Sequence, residues 1–220
     1  QQTQKTNQFN LTTRRYSELD IEKFVKSTNS DVFWLRAADK YGDMGVIGTC
    51  ILTYSTVTAF SKNKFPDEKP QTFLDFWNVQ KFPGRRALPD DPAAVLEAAL
   101  LADGVDKEDV YKILNTKEGM QRAINKIREI REHVTFWWSS GAQPVQALGS
   151  GEVDLALGWN GRFQAGIDNG LDIEMAWDES ISHVGYMMIP QGAPNKKAAL
   201  KLLNYITQPK IQAKISSYIS

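Results

Sequence analysis

One cysteine and two histidines in 220 residues leave little for covalent or metal chemistry. Cys50 has no partner for an intrachain disulfide. In the apolar run VIGTCILTY, with no histidine near it in sequence, it reads as a small hydrophobe rather than a nucleophile. His133 and His183 have no Cys or His at ligand spacing, so no zinc site and no other cofactor is assigned. Net charge is missing as well: 26 Lys and Arg stand against 26 Asp and Glu. The electrostatic term that draws proteins to nucleic acid is therefore absent at the level of the whole chain. No apolar run reaches the ~18–20 residues that span a bilayer, so no membrane insertion is expected. No Ser, His and acid are placed for nucleophilic catalysis, and the acid pairs Asp90–Asp91 and Asp178–Glu179 read as solvated surface. GSG at Gly149 to Gly151 is too short for a phosphate loop. Binding is favoured over chemistry, and no enzyme is expected. The chain opens at Gln1 with neither Met nor a basic-then-apolar leader, the expectation for a mature, truncated or incomplete product.

What is there suffices for a folded core. With 42% hydrophobic and 24% charged residues the chain is neither fibrous nor disordered, and one or two domains are expected. The first thirty residues are polar up to Tyr16, after which Ser17 can cap a short helix carrying Leu19, Ile21, Phe24 and Val25. VFWLRAAD and GVIGTCILTYSTVTAF read as strands separated by the turn DKYGDMG. From Phe65 the texture is loop-rich, with Pro66, Pro70, Pro83 and Pro89 blocking long elements and Phe73, Phe76, Trp77 and Phe82 able to pin the loops to a core.

Asp91 as N-cap with Pro92 at the first helical position then opens a helix ending at Gly104. Residues 117–132 repeat the helical signal, with Met120, Ile124, Ile127 and Ile130 as a core-facing stripe. A strand in TFWW, a short helix in AQPVQALG, the strand VDLALGW, a helix in RFQAGID and the strands IEMAW and VGYMMIP follow. Two last helices start at Asn195 and Pro209. Helices alternating with short strands imply an α/β layer with a mixed sheet.

In such sheets ligands meet the carboxyl ends of strands, where GEVDLALGWNGR places Trp159, Asn160 and Arg162. Trp159 reads either as a packed aromatic or as a ligand platform, and Arg162 either as an ion-pair partner or as a site cation. Ser139, Ser140, Gly141 and Gln143 form a turn before a helix whose N–H groups could also hold an anion.

The succession DFW, FPGRRAL, an acid-capped helix, WWSSGAQPVQAL, GEVDLALGWNGR and IPQGAPNKKAALKLLNYI resembles the bacterial extracellular solute-binding proteins of the spermidine/putrescine type. The resemblance runs from about Ile51 to the C-terminus. It implies a periplasmic-binding-protein lobe of type II over 49–220, with a mixed sheet flanked by helices and preceded by a short β-rich segment. It also implies a small-molecule ligand, an ABC permease as partner and a periplasmic or extracellular location. Trp159 resembles the aromatic against which the family lays an alkylammonium ligand. Asp91 matches an acid able to pair with an ammonium group, with its capping role equally open.

Where polyamine binders carry Trp and, two residues on, Asp, this chain has His183 and Gly185, and a second acid of the first helix is replaced by Ala94. KTNQFNLTTRRYSELDIEKF with VFWLRAADKYGDMGVIG resembles the FkbH-like proteins of the HAD superfamily over 1–48. That implies a chimera holding a half-site of weak affinity. The alternatives are an FkbH-like enzyme fragment or a scaffold with no activity.

Overall fold

β-branched and aromatic residues lead the chain into paired strands, and the first two meet as a hairpin. The computed structural model describes residues 32–39, 42–190 and 192–219, with the side chains of 51–190 and 192–214. The helix expected from Ser17 and the packing expected of Cys50 lie outside those residues. β1 (Val32–Asp39) pairs antiparallel with β2 (Gly42–Ser61) from Val32↔Thr49 to Asp39↔Gly42. Gly42 and Gly45 thus belong to β2 rather than to a seven-residue turn. By internal contacts the chain divides into two units, Gln1–Thr53 with Val184–Tyr218 and Tyr54–His183 with Ile219–Ser220.

α1 (Phe73–Trp77) starts where Thr72 and Asp75 form a capping box, the Thr72 hydroxyl accepting from the Asp75 N–H and the Asp75 carboxylate from the Thr72 N–H. Phe73, Phe76 and Trp77 go into the core as expected, and Phe82 with them. β3 (Arg86–Pro89) follows. α2 (Val95–Ala102) begins later than the sequence predicts. The Asp91 carboxylate accepts from the Ala93 N–H at 2.7 Å and closes its own turn, and Ala94, at φ 67°, is the cap residue. Gly104, at φ 78°, stops the helix as expected.

α3 (Val110–Leu114) is short, and Thr116 caps α4 (Lys117–Glu129) by accepting from the Gly119 N–H at 3.0 Å. The expected stripe is shifted: Gly119, Ala123 and Ile130 are buried, while Met120 is exposed and Ile124 only half-buried. A 3₁₀ turn leads to β4 (Val134–Trp138), then α5 (Gln143–Gly149), β5 (Leu155–Trp159) and α6 (Asn160–Asp168). IEMAW and VGYMMIP are parts of one strand, β6 (Ile173–Ile189), which pairs with β2. α7 (Lys196–Ile206) and α8 (Pro209–Ile219) end the described chain.

In the unit of Tyr54–His183 the strand order is β2-β5-β3-β4. β5 runs antiparallel to β2 (Thr56↔Trp159 to Phe60↔Leu155) and parallel to β3, which is parallel to β4. Helices cover both faces, so β5 is buried throughout except at its last residue. Phe60, Leu155 and Leu157 point into a core shared with α1, α2 and α4. Val57, Ala59 and Ala156 alternate onto the other face with Ala147 and Leu148 of α5 and Phe163 of α6. A fully buried side chain such as Phe163 contributes about 1.5–3 kcal/mol by transfer alone.

Two charged groups are built into this unit. Glu179, expected to be a solvated acid, accepts from the Phe73 N–H at 2.7 Å. The Arg86 guanidinium is fully buried and donates to the carbonyls of Phe76 (2.8 Å), Gly84 (2.6 Å) and Phe82 (2.6 Å). Burial pulls its pKa down to about 10 against the pull of Asp154, so it remains a cation at neutral pH.

In the other unit Leu203 of α7 is buried, while Leu202 and Tyr205 are exposed. Alternation in VGYMMI predicts one buried strand face, yet Tyr186, Met187 and Met188 are all exposed.

Candidate functional site

Parallel β3, β4 and β5 bring their carboxyl ends to one edge, and the antiparallel β2 brings its residues from Tyr54 to the same place. Trp138, at the end of β4, is 5% exposed and donates its indole N–H to the Leu157 carbonyl at 2.9 Å, which fixes its ring. Trp159, at the end of β5, meets Trp138 edge-on, with ring centroids 5.6 Å apart and planes at 84°. It remains 38% exposed. Its other edge contact is Tyr54, at 6.0 Å and 74°. Trp159 is therefore neither core nor free platform: packed against Trp138 and Tyr54, it keeps a surface in solvent.

Tyr54 also stacks on His183, centroids 4.8 Å apart and planes 13° from parallel, and His183 Nε2 lies 2.9 Å from the Thr56 hydroxyl. Next along the chain, the Asn160 side-chain oxygen accepts from the Ser55 N–H at 2.8 Å. Asn160 and His183 thus belong to the cluster with Trp159, each spending a polar atom on β2.

Gly141 is buried against the Trp159 ring: a Cβ there would lie 2.5 Å from Trp159 Cζ3 and 3.6 Å from Arg162 Cγ. Arg162 is exposed and has no carboxylate partner among the described residues. The turn expected to hold an anion is already occupied: Gln143 Oε1 accepts from the N–H groups of Ser139 (2.9 Å) and Ser140 (2.8 Å). Asp91 is apart from these contacts, exposed and closing its own turn. It follows Asp90, whose N–H donates to the Trp138 carbonyl at 2.8 Å.

Sequence reasoning missed Tyr54. An aromatic inside YSTVTAF looks like any core strand residue, and only the pairing of β2 with β5 sets it beside Trp159. Two surface hollows lie elsewhere. One, of about 580 Å³, runs along α4, and its charges are largely paired with one another, as in Arg122–Asp103 at 2.6 Å. The second, of about 410 Å³, is lined by Asp90, Ile124, Ile127, Arg128, Arg131 and Trp137. Among the described residues no three His, Cys, Asp or Glu side chains gather to hold a metal ion. None of the described helices is long and apolar enough to cross a membrane.

Residues 4–220 match the family of bacterial extracellular solute-binding proteins. The chain is 38% identical over 178 residues to the gamma-aminobutyric acid-binding protein of Pseudomonas aeruginosa, covering 81% of this chain and 50% of that protein. It is 27% identical over 150 residues to the spermidine/putrescine-binding periplasmic protein of Escherichia coli K12, covering 67% and 41%. Among solved structures, an ABC transporter substrate-binding protein from Bradyrhizobium japonicum USDA 110 superposes with a TM-score of 0.66 at 42% identity, covering 72% of this chain and 48% of that one.

The fold is accordingly the α/β lobe of periplasmic binding proteins, and the relatives are solute-binding proteins rather than enzymes. The chain spans about half the length of these relatives. One family match runs through both 4–48 and the rest of the chain, so the FkbH-like reading of 1–48, and the chimera with it, finds no support.

Proposed function

Because the chain belongs to the bacterial extracellular solute-binding protein family, we propose that it serves substrate capture for an ABC importer, outside the cytoplasm and with a permease as partner. We infer further that its ligand is a small ω-amino acid, an ammonium and a carboxylate separated by a few carbons. Arg162 carries this reading: an exposed guanidinium without a carboxylate partner among the described residues, beside the solvent-facing Trp159. An indole face attracts an alkylammonium, and a planar guanidinium matches a carboxylate in two parallel hydrogen bonds. A relative at 38% identity is named for binding gamma-aminobutyric acid, a compound of this class.

Polyamine binding has the weaker support. A diamine brings two cations to a place where Arg162 is already one, and a carboxylate that could compensate, Asp91, is spent on its own turn. Trp159 and Arg162 both stand in water, where each contact is worth little, so affinity for this chain alone is expected to be about millimolar.

Calorimetry with gamma-aminobutyrate and putrescine tests the reading. The amino acid should bind more tightly, and Arg162→Ala should reverse the order by removing the carboxylate partner and the repulsion together. Tighter binding of putrescine by the unaltered chain would overturn it.

A further inference from the structure

The turn between β4 and α5 is held by a side chain of the helix it precedes. Gln143 Oε1 accepts from two consecutive N–H groups, Ser139 and Ser140, and the Gln143 N–H donates back to the Ser140 carbonyl at 2.9 Å. Three hydrogen bonds thus close five residues. The residue they fix in place is Gly141, buried, with the Trp159 ring and the Arg162 stem packed over its Cα. Its φ is not in the left-handed region, so an alanine meets no backbone objection there. The obstacle is the Trp159 ring, 2.5–2.6 Å from where a Cβ would stand.

The geometry points to Gln143 and Gly141 as positioning residues: an amide-closed bracket that sets the Trp159 ring against Trp138 and aims Arg162 beside it, touching no ligand itself. The Gln143 oxygen is then spent on the turn, accepting twice, and is not the atom that meets a ligand. Ser139 and Ser140 contribute backbone N–H groups to the bracket rather than to an anion. The bracket sets the Trp159 ring and the Arg162 stem against the same glycine, and holding an aromatic surface near a cation is what selecting one ω-amino acid length over another requires. The ligand part of this inference rests on the ω-amino acid reading above; the ring-positioning part does not.

Near-ultraviolet circular dichroism of the full chain separates the two. Trp159→Phe identifies the signal of the Trp138–Trp159 pair by difference. Gln143→Met keeps length but removes the acceptor, and Gly141→Ala pushes on the ring directly. Both should lose that signal while retaining the far-ultraviolet spectrum. Gln143→Glu, which restores an oxygen acceptor, should recover it. Affinity for gamma-aminobutyrate should fall about two- to fivefold in Gln143→Met and Gly141→Ala, the size of one solvent-exposed contact.

Retention of the pair signal in either folded variant would overturn the bracket, whatever the ligand. If the unaltered chain binds no ω-amino acid, the ligand reading fails, and the dichroism alone decides the positioning role. Should Gln143→Met fail to fold, Gly141→Ala, which removes no hydrogen bond, decides it.

Discussion

The Tyr54 ring lies flat against the His183 imidazole, 4.8 Å between centroids and 13° between planes, while His183 Nε2 reaches the Thr56 hydroxyl at 2.9 Å. Thr56 is buried, so its hydroxyl depends on that nitrogen. His183→Ala should cost about 1.5–4.5 kcal/mol, from a stack worth about 0.5–1.5 and a buried hydroxyl left alone at about 1–3. His183→Phe keeps the stack and loses only the hydrogen bond. In urea melts the Phe variant should fall between Ala and the unaltered chain; equality with the unaltered chain would show that the Thr56 contact contributes nothing.

Trp159→Ala and Phe163→Ala compare a half-packed aromatic with a sealed one four residues on. Phe163 is fully buried between β5 and α5, so its truncation should cost the ~3–5 kcal/mol typical of a core aromatic. Trp159 keeps 38% of its surface in solvent, and about 1–2.5 kcal/mol is expected. Denaturant melts of the two variants measure this, and a Trp159 loss as large as that of Phe163 would place the ring in the core and remove its binding role.

Gly119→Ala sets helix propensity against packing. Alanine inside α4 would gain about 1 kcal/mol in propensity. A Cβ at Gly119, however, overlaps the Ile113 carbonyl oxygen, which already accepts from the Thr116 N–H and hydroxyl. Backbone cannot step aside as a side chain can, and Gly119 also donates to the Thr116 cap. Overpacking at about 1–3 kcal/mol plus a weakened cap at about 1 exceeds the gain. A net loss of about 1–3 kcal/mol is expected in thermal or urea unfolding, and a more stable variant would contradict the tight approach of α3 to α4.

Arg86→Met tests whether a buried cation is worth its desolvation. Burial lowers the guanidinium pKa to about 10, which disfavours the charged form by about 3 kcal/mol. Three charge-assisted hydrogen bonds at about 1.5–3 kcal/mol each outweigh it. Arg86→Met should therefore lose about 1.5–6 kcal/mol, and Arg86→Lys, whose ammonium cannot fork to three carbonyls, an intermediate amount. A Met variant as stable as the unaltered chain would make the guanidinium dispensable.

The place of Trp159, Asn160 and Arg162 at the end of a strand is legible in the sequence because a buried apolar run gives way there to a polar turn. Tyr54 is not, because its neighbour in space is set by strand pairing and not by spacing along the chain. DESISH reads as a break between two strands because it is polar. The backbone nonetheless continues as β6, pairing with β2, while Asp178 and Ser182 face water and Glu179 reaches the Phe73 N–H. Asp91 with Pro92 signals a helix start correctly in kind and early in place, because the acid closes one turn before the continuous helix begins at Val95. The role of Gln143 escapes pattern reading, since a helix-first glutamine gives no sign that its oxygen folds back on the preceding turn.

The pairing of β2 with β5 also sets a clock on synthesis. Ser55 and Asn160, bonded to each other in the finished sheet, are 105 residues apart. At about 5–20 residues per second the ribosome takes roughly 5–20 s to supply the second after the first. Throughout that interval the stretch from Thr56 to Phe60 has been made but lacks the strand it will lie against, as an apolar edge open to any passing chain. Whatever holds that stretch apart from other chains until β5 is available does for the unfinished sheet what five cross-strand pairs do for the finished one.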